Sequence, residues 1–267
     1  PKNLALNLFV PKSYTSISKL ESFATCPYKH FIEYGLRPQE NKDYSTDALD
    51  IGSTIHSVLE GFTKNNELSN LSRKDCYDIC SDLFDNIAPK VHFGAMFSTD
   101  RQKAFNKILK NLTGETAWRI KEHLENFEII GEEISFGYGK YPPIEIKTEF
   151  GTLYIKGKID RADKLQKDDK VYLRIVDYKS GKKEFKKDNV QEGTDLQLMI
   201  YMNALLSHFA NSSPASAQYM LIEKDNDFSG PVSSKVSDGK KTISEEEFYE
   251  LLNSANETAK NLTENML

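Results

Sequence analysis

No stretch of this 267-residue chain approaches the ~18 consecutive apolar residues that a membrane-crossing helix requires, which excludes such a span. A charged segment followed by a short apolar run, the mark of a secretory leader, is missing from the start, and Pro1 stands where a Met would be expected. The chain therefore reads as a fragment cut from a longer protein. Cysteine is scarce. Cys26, Cys76 and Cys80 are too few and too unevenly placed for a disulfide framework, so a reducing cytoplasm is the expected compartment. The Asn-x-Ser/Thr matches at Asn111, Asn211, Asn256 and Asn261 are then expected to be chance. A Gly-x-x-x-x-Gly-Lys-Ser/Thr loop is absent, so ATP hydrolysis has to come from another region or subunit. Internal repeats and low-complexity linkers are absent as well. Positive charge is not in excess: the net charge of -5 argues against phosphate binding by the whole surface and leaves room for a local basic groove.

What is present suffices for a full core. Hydrophobic residues make up 39% of the chain and charged residues 28%, which suits one large domain, or one with an appended subdomain. Ser18 followed by Glu21 forms a capping-box pattern, and Leu20, Phe23, Phe31, Ile32 and Leu36 predict a helix to about residue 34, broken at Pro27. After a polar stretch from Gln39 to Asp47, Ile51, Ile55, Val58, Leu59 and Phe62 recur at helical spacing, and His56 rides on that helix. Further helices are predicted over 73–88 and 98–127. Residues 1–130 thus read as a mainly helical lobe and 131–267 as a strand-rich core.

Within that core, strands are predicted over 133–136, 144–149, 153–160 and 170–178, with a hairpin turn at 149–152. A helix over 194–206, a buried strand over 215–222 and a capped helix over 244–266 follow. The order of elements gives an α+β fold. Two segments carry the chemistry: Gly157-Lys-Ile-Asp160-Arg161-Ala-Asp163, and Ile175-Val-Asp177-Tyr178-Lys179-Ser-Gly181. In an extended chain residues two apart share a face, so Asp177 and Lys179 point one way while Val176 and Tyr178 point the other. Two carboxylates at neighbouring strand ends, with a backbone carbonyl, suffice to hold Mg²⁺, and a lysine beside them can hold a nucleophile or a phosphate oxygen. A phosphodiester is the natural substrate of that set. Lone Asp-x-Lys pairs are common on exposed strands; the apolar run before Asp177, Gly181 after the lysine, and the preceding strand with Asp160 supply the context. Lys156, Lys158, Arg161 and Lys164 flank the first segment, and Lys182, Lys183, Lys186 and Lys187 follow the second, as candidate phosphate contacts.

Ser16 to Leu36, Gly52 to His56, the two segments above and Gln197 to Tyr201, in that order, resemble the PD-(D/E)XK nucleases of RecB type. Closest are the C-terminal nuclease domains of AddB, the second subunit of the AddAB helicase–nucleases. The resemblance spans nearly the whole chain. It implies a restriction-endonuclease-like core with a mixed central sheet, flanking helices and an N-terminal helical lobe closing over the site. It further implies a metal site of His56, Asp160, Asp177 and Tyr178, the last through its carbonyl, with Lys179 as catalytic lysine. Glu133 would be a further acid, and Gln197 and Tyr201, one helical turn apart, would face the site or the DNA. Arg161, Tyr201, Lys182 and Lys183 would contact DNA. The implied reaction is Mg²⁺- or Mn²⁺-dependent hydrolysis of single-stranded DNA or a duplex end, as an exonuclease in double-strand break repair and recombination, beside an AddA-like partner subunit. A non-catalytic DNA-holding module and a stand-alone RecB-like or CRISPR-adaptation nuclease are the alternatives. Cys26, in its Cys-Pro-Tyr context, matches the first cysteine of a [4Fe-4S] cluster in such proteins. No cysteine follows Cys80, so the cluster is expected only in a longer chain.

Overall fold

The structure is a computed structural model that describes residues 14–38, 48–65, 67–138, 141–149, 151–222, 228–239 and 241–266; the polar stretch 39–47 lies outside them. In chain order the elements are β1 (Tyr14–Ser16), α1 (Ile17–Thr25), α2 (Pro27–His30), a π-helical turn (Phe31–Leu36) and α3 (Ala48–Asn65). Then come α4 (Arg73–Ile87), α5 (Asp100–Leu124), β2 (Glu128–Phe136), β3 (Ile144–Thr148), β4 (Gly151–Lys167) and β5 (Lys170–Lys179). The chain closes with α6 (Lys187–Glu192), α7 (Gln197–Leu206), β6 (Ser212–Leu221), β7 (Phe228–Ser229) and α8 (Glu245–Met266). This is the expected α+β architecture, with helices packed on a mixed sheet.

β4 organises the sheet. Its first third pairs with β3 antiparallel and with β1 parallel, and its remainder pairs antiparallel with β2 and β5. β6 then adds to β5 in parallel, the connection running through α6 and α7 as a parallel pair requires. Two apolar clusters follow from the alternation of side chains. The larger joins Ile155, Ile159, Ala162 and Ile175 to α1, α7 and α8. The smaller joins the inner faces of α3, α4 and α5 to Val176, Tyr178, Met220 and Ile222. On α3, Ile55, Val58, Leu59 and Phe62 are fully buried at helical spacing, which leaves the opposite face, with Gly52, Ser53, His56, Ser57 and Glu60, for the cleft described below.

Several boundaries differ from the sequence reading. The N-cap of α1 is Ser16, not Ser18, and Glu21 leaves its own helix to accept the backbone N–H groups of Leu196 and Gln197 at 2.7 and 3.0 Å. The predicted box is spent on another helix's N-terminus, where a carboxylate meets unsatisfied N–H groups and the positive end of the dipole. Cys26 separates α1 from α2, and Pro27 occupies the first helical position, where its missing N–H costs nothing. β4 does not end at Asp160 but continues to Lys167. The helix expected from 194 starts at Gln197, and α6 was not anticipated. The capped C-terminal helix is as read: Ser244 and Glu247 exchange side-chain and backbone hydrogen bonds in a capping box.

Candidate metal centre and active site

Where β4 and β5 part, the sheet opens a cleft of about 440 Å³ between the polar face of α3 and the strand ends. His56, Glu133 and Asp160 each present a ligand atom within 4.8 Å of the others. β2 places Glu133: its φ of +52° breaks the strand's alternation between the Glu132–Arg161 and Ile134–Ile159 pairs. Glu133 therefore turns into the cleft, ion-paired to Lys158, while Glu132 turns behind the sheet to bond Thr63. Burial pushes the Glu132 carboxyl up to about 8. The choice between two adjacent acids is thus made by one left-handed backbone residue.

Asp160 accepts the Tyr178 backbone N–H at 2.8 Å and lies 3.6 Å from His56 Nδ1. Asp177, on the adjoining strand, meets the Lys179 ammonium at 2.6 Å, as the alternation along β5 predicts. Gln197, on the first turn of α7, bridges the pair: its amide donates to Asp177 at 2.6 Å, and its carbonyl accepts from Lys179 at 3.0 Å. Val176 and Tyr178 turn the other way, into the smaller core. Both carboxyls are raised above the ordinary range, first by burial; for Asp177 the neighbouring Asp160 charge adds to this. Burial alone would lower Lys179, but Asp177 outweighs it and holds the amine protonated. Burial lowers His56, with Asp177 opposing, so the imidazole keeps a lone pair to offer.

A divalent cation fits this donor set. Carboxylates held above their usual pKa by burial, and at Asp177 also by the Asp160 charge, beside a neutral imidazole, form a site that a cation would relax. The three cysteines of this chain do not themselves make a four-thiolate site. Cys26 is a free thiol that caps α2, Cys76 and Cys80 are buried in the smaller core on α4, and among the described residues no thiol belongs to a convergent ligand group. Burial pushes the Cys80 thiol up to about 12, which makes it inert packing.

Other expected residues sit elsewhere. Arg161 is fully buried behind the sheet, where it pairs with Asp163 and donates to the Tyr178 hydroxyl at 3.1 Å; it cannot reach DNA. The Tyr178 ring is buried with it and backs the His56 ring edge-on, 5.7 Å between centres, while the Tyr178 N–H meets Asp160. Tyr201 lies beneath the cleft, 7% exposed, edge-on to Phe136, its hydroxyl against the Lys158 backbone N–H and Gln197. That position braces the site floor and leaves no face for DNA. Lys183 turns back to Asp195 at 3.4 Å, whereas Lys182 is exposed. Sequence reading missed Glu21 and the buried Asp195, which binds the Tyr219 hydroxyl. An acid inside the apolar-flanked stretch 190–200 was the available signal for Asp195.

The family model described as the PD-(D/E)XK nuclease superfamily matches residues 14–266. Proteins named as ATP-dependent helicase/deoxyribonuclease subunits, of the AddB kind, are similar to the chain. The one from Alkaliphilus oremlandii is 39% identical over 76% of this chain and 18% of its own length. That from Alkaliphilus metalliredigens is 38% identical over 83% and 21%, and that from Clostridium novyi 34% over 90% and 21%. The chain spans about a fifth of the length of these relatives.

Proposed function

The chain belongs to the PD-(D/E)XK nuclease superfamily, and on that footing we propose that its cleft hydrolyses DNA phosphodiester bonds with Mg²⁺ or Mn²⁺. His56, Glu133, Asp160, Asp177 and the Tyr178 carbonyl would hold the cation. The observation that supports this most is the convergence of His56, Glu133 and Asp160 in one cleft that Lys179 also lines, with Lys179 held from behind by Asp177 and Gln197. A divalent cation there supplies Lewis acidity toward a phosphate oxygen and favours ionisation of water. One nitrogen among oxygen donors suits Mn²⁺ at least as well as Mg²⁺.

The chain's own groups do the rest. The Lys179 ammonium, fixed by Asp177 and Gln197, holds an attacking water or a phosphate oxygen and opposes the charge that develops there. Glu21 keeps Gln197 in place through the backbone of α7, and the Tyr178 N–H fixes the Asp160 carboxylate. Lys158, which lines the cleft, and Lys182, exposed two residues beyond the cleft-lining Ser180, would serve as phosphate contacts. In a protein whose relatives are named helicase/deoxyribonucleases, this region would act on a single strand delivered by a motor in an AddA-like partner, in the cytoplasm, during break repair.

The test is cleavage of end-labelled single-stranded DNA with Mg²⁺, Mn²⁺ or EDTA. The expected result is cation-dependent cutting, slowed about 10²–10³-fold or more by Asp177→Ala and by Lys179→Ala. Cutting that survives EDTA, or variants that cut at the wild-type rate, would overturn the proposal.

A further inference from the structure

A row of aromatic and basic side chains leads away from the cleft along β4. Ile155 and Ile159 are buried in the larger core, and Gly157 backs onto Phe136 and Tyr201. Tyr154, Lys156 and Lys158 therefore share the opposite face. Lys158 lines the cleft. The Lys156 ammonium lies 3.8 Å from the centre of the Tyr14 ring and 4.5 Å from that of Tyr138. Tyr14, seated across from Tyr154 by the parallel β1–β4 pairing, packs against it with ring centres 5.3 Å apart. A Cβ at Gly137 would stand 2.5 Å from the Lys156 side chain, and the φ there is +79°, so glycine is what lets the Tyr138 loop close over the lysine. Tyr14 and Tyr138 are nevertheless 50% and 65% exposed.

We propose that Tyr14, Tyr138 and Tyr154, with Lys156, form a stacking track that receives the bases of a single-stranded nucleic acid whose backbone enters the cleft past Lys158. The occupant's chemical class rests on the nuclease reading; its single-strandedness comes from the track. Every base offers a π-face to an aromatic ring, so stacking holds a strand without reading its sequence, and the neighbouring ammonium groups follow the phosphates. A duplex keeps its bases stacked on each other and cannot use these rings. Residues 154 and 158 stand about 13 Å apart along a strand, room for a few nucleotides short of the site. Glu145 lies across from Tyr154 and disfavours phosphate at that far end, which leaves the bases to make the contact there. The track is continuous with the cleft on one strand face, so a chain threaded along it arrives at the metal ligands already oriented.

The experiment measures fluorescence anisotropy of labelled oligothymidine, and of an abasic oligomer of equal length, on the whole chain in EDTA. Wild type binds the abasic strand on the order of 10-fold more weakly, and Tyr138→Ala loses about the same factor on oligothymidine. Tyr138→Trp retains binding, and Tyr14→Ala repeats the loss at a second position. Equal affinity of wild type for both oligomers, or unchanged binding in folded Tyr138→Ala and Tyr14→Ala, overturns the track. Because binding is read in EDTA, it is separable from cleavage. Base-dependent binding by a chain that never cuts refutes the nuclease reading and keeps the track; cation-dependent cutting with base-independent binding does the reverse.

Discussion

Glu21 and Gln197 are 176 residues apart in the chain, yet the Glu21 carboxylate accepts the Gln197 backbone N–H at 3.0 Å. The contact ties the first helix to the first turn of α7. The Gln197 side chain in turn bridges Asp177 and Lys179, so the position of the ammonium depends on a residue that never touches it.

Glu21→Ala is expected to cost about 1–2 kcal/mol of folding stability, because it strips a helix N-terminus of its acceptor, and to slow cleavage as Gln197 loosens. Glu21→Gln keeps an acceptor. Burial raises the Glu21 carboxyl to about 7, so it is often neutral already and the amide should behave nearly as wild type. Urea unfolding curves and single-turnover cleavage rates for the two variants check this; equal loss in both would refute the acceptor role.

The cleft's carboxyls set a pH dependence. Asp160 and Asp177 are raised in the folded chain, so the cation-free fold binds more protons than the unfolded chain. Its stability therefore falls as pH rises from the ordinary value of 3.8 through the raised values. A cation needs both groups ionised, so its affinity should climb with pH over the same window and its binding should release protons. Asp160→Asn keeps the acceptor for the Tyr178 N–H and removes the repulsion. At pH 8 without cation it should be more stable than wild type by on the order of 1 kcal/mol, and it should show a much smaller melting shift with Mn²⁺. Melting curves at pH 6 and 8, with and without Mn²⁺, decide it.

Removing the Arg161 guanidinium should damage the fold and spare DNA binding. Arg161→Leu leaves Asp163 buried beside Arg174 with one partner gone, an expected loss of about 3–5 kcal/mol. In the protein that stays folded, the salt dependence of DNA affinity should be unchanged, whereas Lys182→Gln should lower its slope by about 1. A shallower slope in the Arg161 variant would put that side chain back on the DNA.

The Asp177–Lys179 pair was readable because a period of two decides which side chains share a face, and β5 keeps that period without interruption. Glu133 and Glu132 could not be separated the same way. Alternation fails at the one residue with a left-handed backbone, and nothing in Glu-Glu-Ile-Ser announces it. Arg161 misled for a related reason: charge beside a motif suggests a groove, but position 161 lies just past the break and faces the interior. Ser18 and Glu21 had the spacing of a capping box, while the partner of Glu21 lay 175 residues away at Leu196, beyond any local rule. The element types were legible because apolar periodicity is local; the ends of β4 and the start of α7 were not, because partners distant in sequence set them.

The smaller core has a consequence for how the chain is made. Its inward-facing residues run from Ile55 and Phe62 on α3 to Val176 on β5 and Ile222 just after β6. A ribosome that has finished α3, α4 and α5 has therefore produced three helices whose apolar sides still lack their sheet. Until β5 and β6 emerge, that surface stays open to other hydrophobic chains, and the helical half should be the part that most needs a chaperone during synthesis.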